Sequence, residues 1–148
     1  MKKAFTMIEL VFVIVIIGIL AMIAIPKMAA TRDDAKISLV AADVANAATE
    51  IAAYTMAKAN TTADFSEMSN AVRSMKARNL AVQSGNTLNV KMNTISDCLK
   101  LRISSSSKDR NLTIAYGNAG GDTLCVALQS TIDTSDYPIP LKGHIVNY

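Results

Sequence analysis

From Met7 to Ile25 the chain is apolar at every position but one, a run of 19 residues interrupted only by Glu9. As an α-helix the run is roughly 28 Å long, close to the thickness of a bilayer's hydrocarbon core. Its apolar character goes all the way round, whereas a helix that lines a soluble core has one apolar stripe. A secretory signal would have a shorter apolar stretch and a small-x-small cleavage site. The residues at the exit are Ala24, Ile25, Pro26, Lys27 and Met28, which provide no such site. Lys2 and Lys3 precede the run and place the N-terminus on the cytoplasmic side, with the chain beyond Pro26 outside. A carboxylate inside the run costs on the order of 2.5–3.5 kcal/mol. Glu9 could reach back to the headgroups or sit in the positive end of the helix dipole. The sharper reading is that it has a partner.

Lys2-Lys3-Ala4, then Phe5-Thr6-Met7-Ile8-Glu9-Leu10, then an apolar helix reaching Pro26, resembles the N-terminus of type IV pilins and type II secretion pseudopilins. The resemblance is close over about the first 30 residues. Ala4 stands where the family usually has Gly; both are small, as the cut requires. The resemblance implies that a prepilin peptidase cuts between Ala4 and Phe5, that the new Phe5 amine is methylated, and that Glu9 pairs with the Phe5 amine of a neighbouring subunit. Before the cut Phe5 has only a neutral amide nitrogen. Afterwards it carries a cation four residues from Glu9, roughly 6 Å along the helix. The implied partners are other copies or related pilins, the peptidase and an inner-membrane assembly platform. The implied location is the inner membrane with the head periplasmic, then a filament.

Beyond Pro26 the chain stays helical in character. It is rich in Ala, and Ile37, Val40, Val44, Ala47, Ile51 and Tyr54 recur at spacings of three and four. One long helix is expected from about Phe5 to about Lys58. Gly18 and Pro26 are its weak points, since Gly costs helix stability and Pro26 cannot donate to the Met22 carbonyl. Phe65, Met68, Val72 and Met75 form a second stripe, with Asp64 or Ser66 as its cap. Thr87–Met92, Leu99–Ser104, Leu112–Tyr116 and Thr123–Gln129 read as strands, separated by the turn-rich Ser104–Asn111 and Gly117–Asp122. The expected fold is α+β: a long helix with a transmembrane first half, and a small antiparallel sheet packed on its second half. The segments are a leader at 1–4, a membrane and filament helix at 5–26, the second half of the helix at 27–58 and a head at 59–148.

Chemistry is sparse. With Lys2 and Lys3 set aside, 13 basic residues face 12 acidic ones, which is no footprint for nucleic acid. Cys98 and Cys125 are the two cysteines, and outside the cytosol a disulfide between them is the leading reading, with two separate core thiols as the alternative. Two Cys and the distant His144 fall short of a zinc site. Gly117–Asp122 is a turn and not a phosphate cradle, because no helix-opening G-x-G-x-x-G is present. Ile132–Asp136 resembles a fragment of a calcium loop, which makes Asp133 and Asp136 weak candidate ligands. Ser105 and its serine neighbours lack a partnered His, so no hydrolase triad is indicated. No cofactor is expected, and the reading is a structural subunit. Pilus, type II secretion and competence filaments remain open, as does an anchored binding domain that never polymerises.

Overall fold

The computed structural model describes residues 6–58, 61, 64–104 and 110–141, apart from the side chains of 24–29. The long helix is present as α1 (Met7–Lys58), continuous through Gly18 and Pro26. The chain forms two units, residues 1–36 and 37–148. In the first, the large apolar side chains from Met7 to Ile23 are exposed all round the helix, as an apolar run must be when nothing covers it.

The second unit is built around the α1 stripe. Val40, Val44, Ala47 and Ile51 are buried, and Ile37 and Tyr54 pack beside them half-buried. Thr55 is also buried; its hydroxyl donates to the Ile51 and Ala52 carbonyls, both at 2.9 Å, so no polar group is stranded. Five strands follow: β1 (Ala81–Ser84), β2 (Thr87–Met92), β3 (Ile95–Ile103), β4 (Asn111–Tyr116) and β5 (Ile139–Pro140). They pair in sequence order, every pair antiparallel. Two-residue turns join β1 to β2 and β2 to β3, with Gly85 and Asn93 at positive φ where such turns need it. The register lines up one apolar face: Val90 opposite Leu99, Leu88 opposite Leu101, and Leu101 opposite Ile114. All five side chains are buried in one core with the α1 stripe, each contributing on the order of 1.5–3 kcal/mol. The architecture is α+β and pilin-like, as expected.

Three expectations are corrected. Thr123–Gln129 is not a strand: the chain forms a helix, α4 (Thr123–Thr131), so Cys125 lies in a helix. Gly120 and Gly121, both at positive φ, end the extended path. Asp122 then caps the helix, accepting from the Cys125 amide at 2.9 Å. Cys98 lies within β3 rather than before it. The second stripe is two helices, α2 (Phe65–Met68) and α3 (Asn70–Ala77), because Ser69 takes an extended conformation. Asp64 caps α2 and Ser69 caps α3; Ser66 caps neither. The Asn60–Asp64 turn lies largely outside the described residues, as do most of Ser104–Asn111 and His144.

Ser69 is buried, and its hydroxyl has two roles. It accepts from the Val72 amide at 3.1 Å and donates to Glu50 Oε2 at 2.6 Å, tying α3 to α1. Glu50 also accepts from the Ala71 amide at 3.0 Å. The Ser69 hydroxyl first, then the Ala71 amide, hold the Glu50 carboxyl below its ordinary value of about 4.5. A carboxyl lowered in the folded state stabilises the fold above its unfolded pKa, and that contribution is lost as pH falls through the folded pKa. Glu50→Gln should therefore cost about 1 kcal/mol at neutral pH and flatten the fall in stability below about pH 4.5. Urea denaturation of the full chain in detergent across that range measures both; a mutant profile parallel to wild type at every pH would exclude this role.

Candidate functional site

Thr6 stands at the start of α1 and Glu9 in its first turn. The first backbone amides of a helix have no partner within it. Here the Glu9 and Leu10 amides donate to the Thr6 carbonyl at 3.2 and 3.3 Å. The Thr6 amide donates to Glu9 Oε2 at 3.5 Å, and the Thr6 hydroxyl donates to the same oxygen at 3.4 Å. Glu9 thus reaches back over the end of its own helix, the second half of a capping box. Oε1 accepts no hydrogen bond among the described residues. Both residues are exposed, so one carboxylate oxygen holds the cap and the other is open to a second donor. Sequence reasoning missed the role of Thr6. The signal was present as Thr-x-x-Glu directly ahead of an apolar run.

Ala4 and Phe5 lie outside the described residues. Gly18 is in the exposed part of α1, and a Cβ there would meet no atom within 4 Å. At Pro26 the backbone is helical and the side chain is outside the described set. The sequence expectation of a membrane span over Met7–Ile25 also runs into that set. Among the described residues no helix is long and apolar enough to cross a membrane.

The head holds structural chemistry. Cys98 and Cys125 are bonded, with Cα atoms 5.7 Å apart and a separation of 27 positions in sequence. Closing a loop of that length contributes about 3–4 kcal/mol in the chain-entropy model. Gln129 Nε2 donates to the Cys98 carbonyl at 2.8 Å and the Gly117 carbonyl at 3.1 Å, so the bridge, β3 and the end of β4 are joined at one point. The Cys125 amide, and then the Asn93 side chain at 2.6 Å, hold the Asp122 carboxyl below its ordinary value. Neither Asp133 nor Asp136 belongs to a group of three candidate metal ligands among the described residues. Asp133 instead caps the short 3-10 turn Thr134–Asp136, its Oδ1 accepting from the Ser135 amide at 2.8 Å. Among the described residues no three His, Cys, Asp or Glu side chains are grouped to hold a metal ion. Ser105 lies outside the described residues.

Residues 1–25 match the family model described as the prokaryotic N-terminal methylation motif. The chain carries the prepilin signal of type IV pilins and pseudopilins. This prepilin signal covers the leader, Thr6, Glu9 and the whole apolar run to Ile25. It marks structural proteins that a prepilin peptidase processes and that assemble with other pilins. No curated protein and no solved structure matches the chain. Within the signal, the Thr6–Glu9 cap is the described geometry on which a functional reading can be built.

Proposed function

We propose that the chain is a structural subunit of a type IV pilus-like or type II secretion pseudopilus filament. One observation carries this reading. The prepilin signal opens directly into a helix whose large apolar side chains, from Met7 to Ile23, are all exposed in the single chain. An apolar surface of that extent needs a cover. The bilayer provides it first, with residues 1–4 cytoplasmic and the head periplasmic; the helices of neighbouring subunits provide it after assembly. Prepilin peptidase removes residues 1–4 by cutting between Ala4 and Phe5, and Phe5 is then N-methylated. The subunit polymerises through residues 5–26 with its head outward, Glu9 pairing with the Phe5 amine of a neighbour. Gly18 and Pro26 are where this helix yields if the filament requires it to stretch or bend. No bond is made or broken by the subunit itself; the assembly platform drives growth.

The mature N-terminus tests the proposal. Intact mass and N-terminal sequencing of the chain from its host should show a start at Phe5 carrying one added methyl group. A chain that still begins at Met1, or one cut beyond Ala24, would overturn it.

A further inference from the structure

Within residues 37–148, α1 and the segment after α4 part to leave a groove of about 190 Å3. Ala41 and Ala45 line one side, Ile132 and Tyr137 the other, and Asp133 and Asp136 complete it. The volume is below the roughly 300–1,000 Å3 of small-molecule sites and suits a single long side chain. Both carboxylates lack an ion-pair partner among the described residues. The Ser135 hydroxyl and amide keep Asp133 ionised by lowering its pKa. Burial, and then the nearby Asp136 charge, push the Tyr137 hydroxyl upward, and both residues line the same groove. Apolar walls, an aromatic face and two carboxylates together complement an apolar stem ending in a cation, the chemistry of arginine.

The sheet presents such a side chain. Arg102 in β3 is exposed between the buried Leu101 and Ile103, so it points away from the face that α1 covers. Its cross-strand neighbours are Thr87 and Thr113, and Ser84 lies beyond Thr87. Arg102 is thus the one long side chain in a row of short ones. The acid on its own strand, Asp97, is held by Lys100 at 2.9 Å, and Arg102 has no ion pair among the described residues.

We infer that Arg102 of one copy inserts into the Asp133–Asp136 groove of the next copy, giving the heads a contact of their own. Because the inserted side chain and the groove lie on different faces, the contact is head-to-tail and repeats along an assembly instead of closing on itself. The inference rests on the filament reading, since it takes its partner to be a second copy of the chain.

Charge exchange in the full chain, expressed in its host, tests it. Arg102→Asp alone and Asp136→Arg alone should each lower the polymer recovered by about tenfold or more, and the two together should restore it to within about twofold of wild type. Retention of the Cys98–Cys125 bond reports that each variant has folded. Single variants that polymerise like wild type overturn the contact. So does a combination that folds but gives no recovery, or an Asp136→Arg defect without an Arg102→Asp defect, which would mean another cation fills the groove. If a variant fails to fold, or if wild type itself yields no polymer, Arg102→Cys combined with Asp136→Cys decides. Mild oxidation in the membrane should then produce covalent chains longer than a dimer, and their absence overturns the contact. Failure of wild type to polymerise counts against the filament reading alone.

Discussion

Gly117→Ala should destabilise the head by about 3 kcal/mol or more, lowering its thermal midpoint by about 10–20 °C. The cause is backbone against backbone. A Cβ at Gly117 would fall on the Asp97 carbonyl oxygen, well inside van der Waals contact, and crowd the Cys98 carbonyl at 3.3 Å. A flexible side chain could turn aside; a β3 carbonyl cannot. The Gly117 amide donates to the Cys98 carbonyl at 2.9 Å, and Gln129 bonds the carbonyls of both residues. Moving either strand therefore breaks hydrogen bonds as well as packing, next to the disulfide. Gly85→Ala is the contrasting substitution. Gly85 has φ +55° with open space around it, so Ala there meets only the left-handed backbone penalty of about 1–2 kcal/mol. Thermal denaturation of both variants by circular dichroism, as full chains in detergent, reads the difference. A Gly117→Ala midpoint at or above that of Gly85→Ala would show that the close approach is not what fixes Gly117.

Part of this fold is written in the local pattern. β2 was legible because Leu88, Val90 and Met92 alternate with polar residues and all three are buried. The α1 stripe was legible because its spacing holds over several turns. α4 was not, because Leu124–Leu128 is a short unbroken apolar run that reads equally well as a buried strand. The helix buries Cys125 and Leu128, three apart, and leaves Val126 51% exposed. What decides between the periods lies just upstream, in two glycines at positive φ and an aspartate cap. β1 was missed for a different reason. Four residues carry little pattern, and its pairing is set by the Gly85 turn and the waiting edge of β2. The site divides in the same way. The leader and Glu9 are read from a contiguous motif, and two lone cysteines leave one possible pairing. The groove beside α1 is assembled from segments about 90 positions apart in sequence, and a linear reading brought Asp133 and Asp136 forward only as ion ligands.

Glu9→Ala should leave membrane insertion intact, or improve it, while reducing incorporation into filaments by about 100-fold or more. In a single chain the carboxylate caps its own helix through Thr6, and losing such a cap costs about 0.5–2 kcal/mol. That loss is confined to the first turn, and removing a charge from the apolar run offsets it. In an assembly the term is larger. If the Phe5 amine freed by processing pairs with Glu9 of a neighbour, deleting that carboxylate leaves an uncompensated buried charge, at a cost of about 3–5 kcal/mol. The Thr6 contact creates a rival explanation, that Glu9 matters only as a cap, and Glu9→Gln separates the two. Glutamine can make the same back-bond to the Thr6 amide but brings no charge to a neighbour's amine. If pairing across subunits is the role, Glu9→Gln should fail in filament recovery as badly as Glu9→Ala, with both variants present at wild-type levels in the membrane. Wild-type filament yield from Glu9→Gln would assign Glu9 to capping and remove the interchain pair from the assembly mechanism.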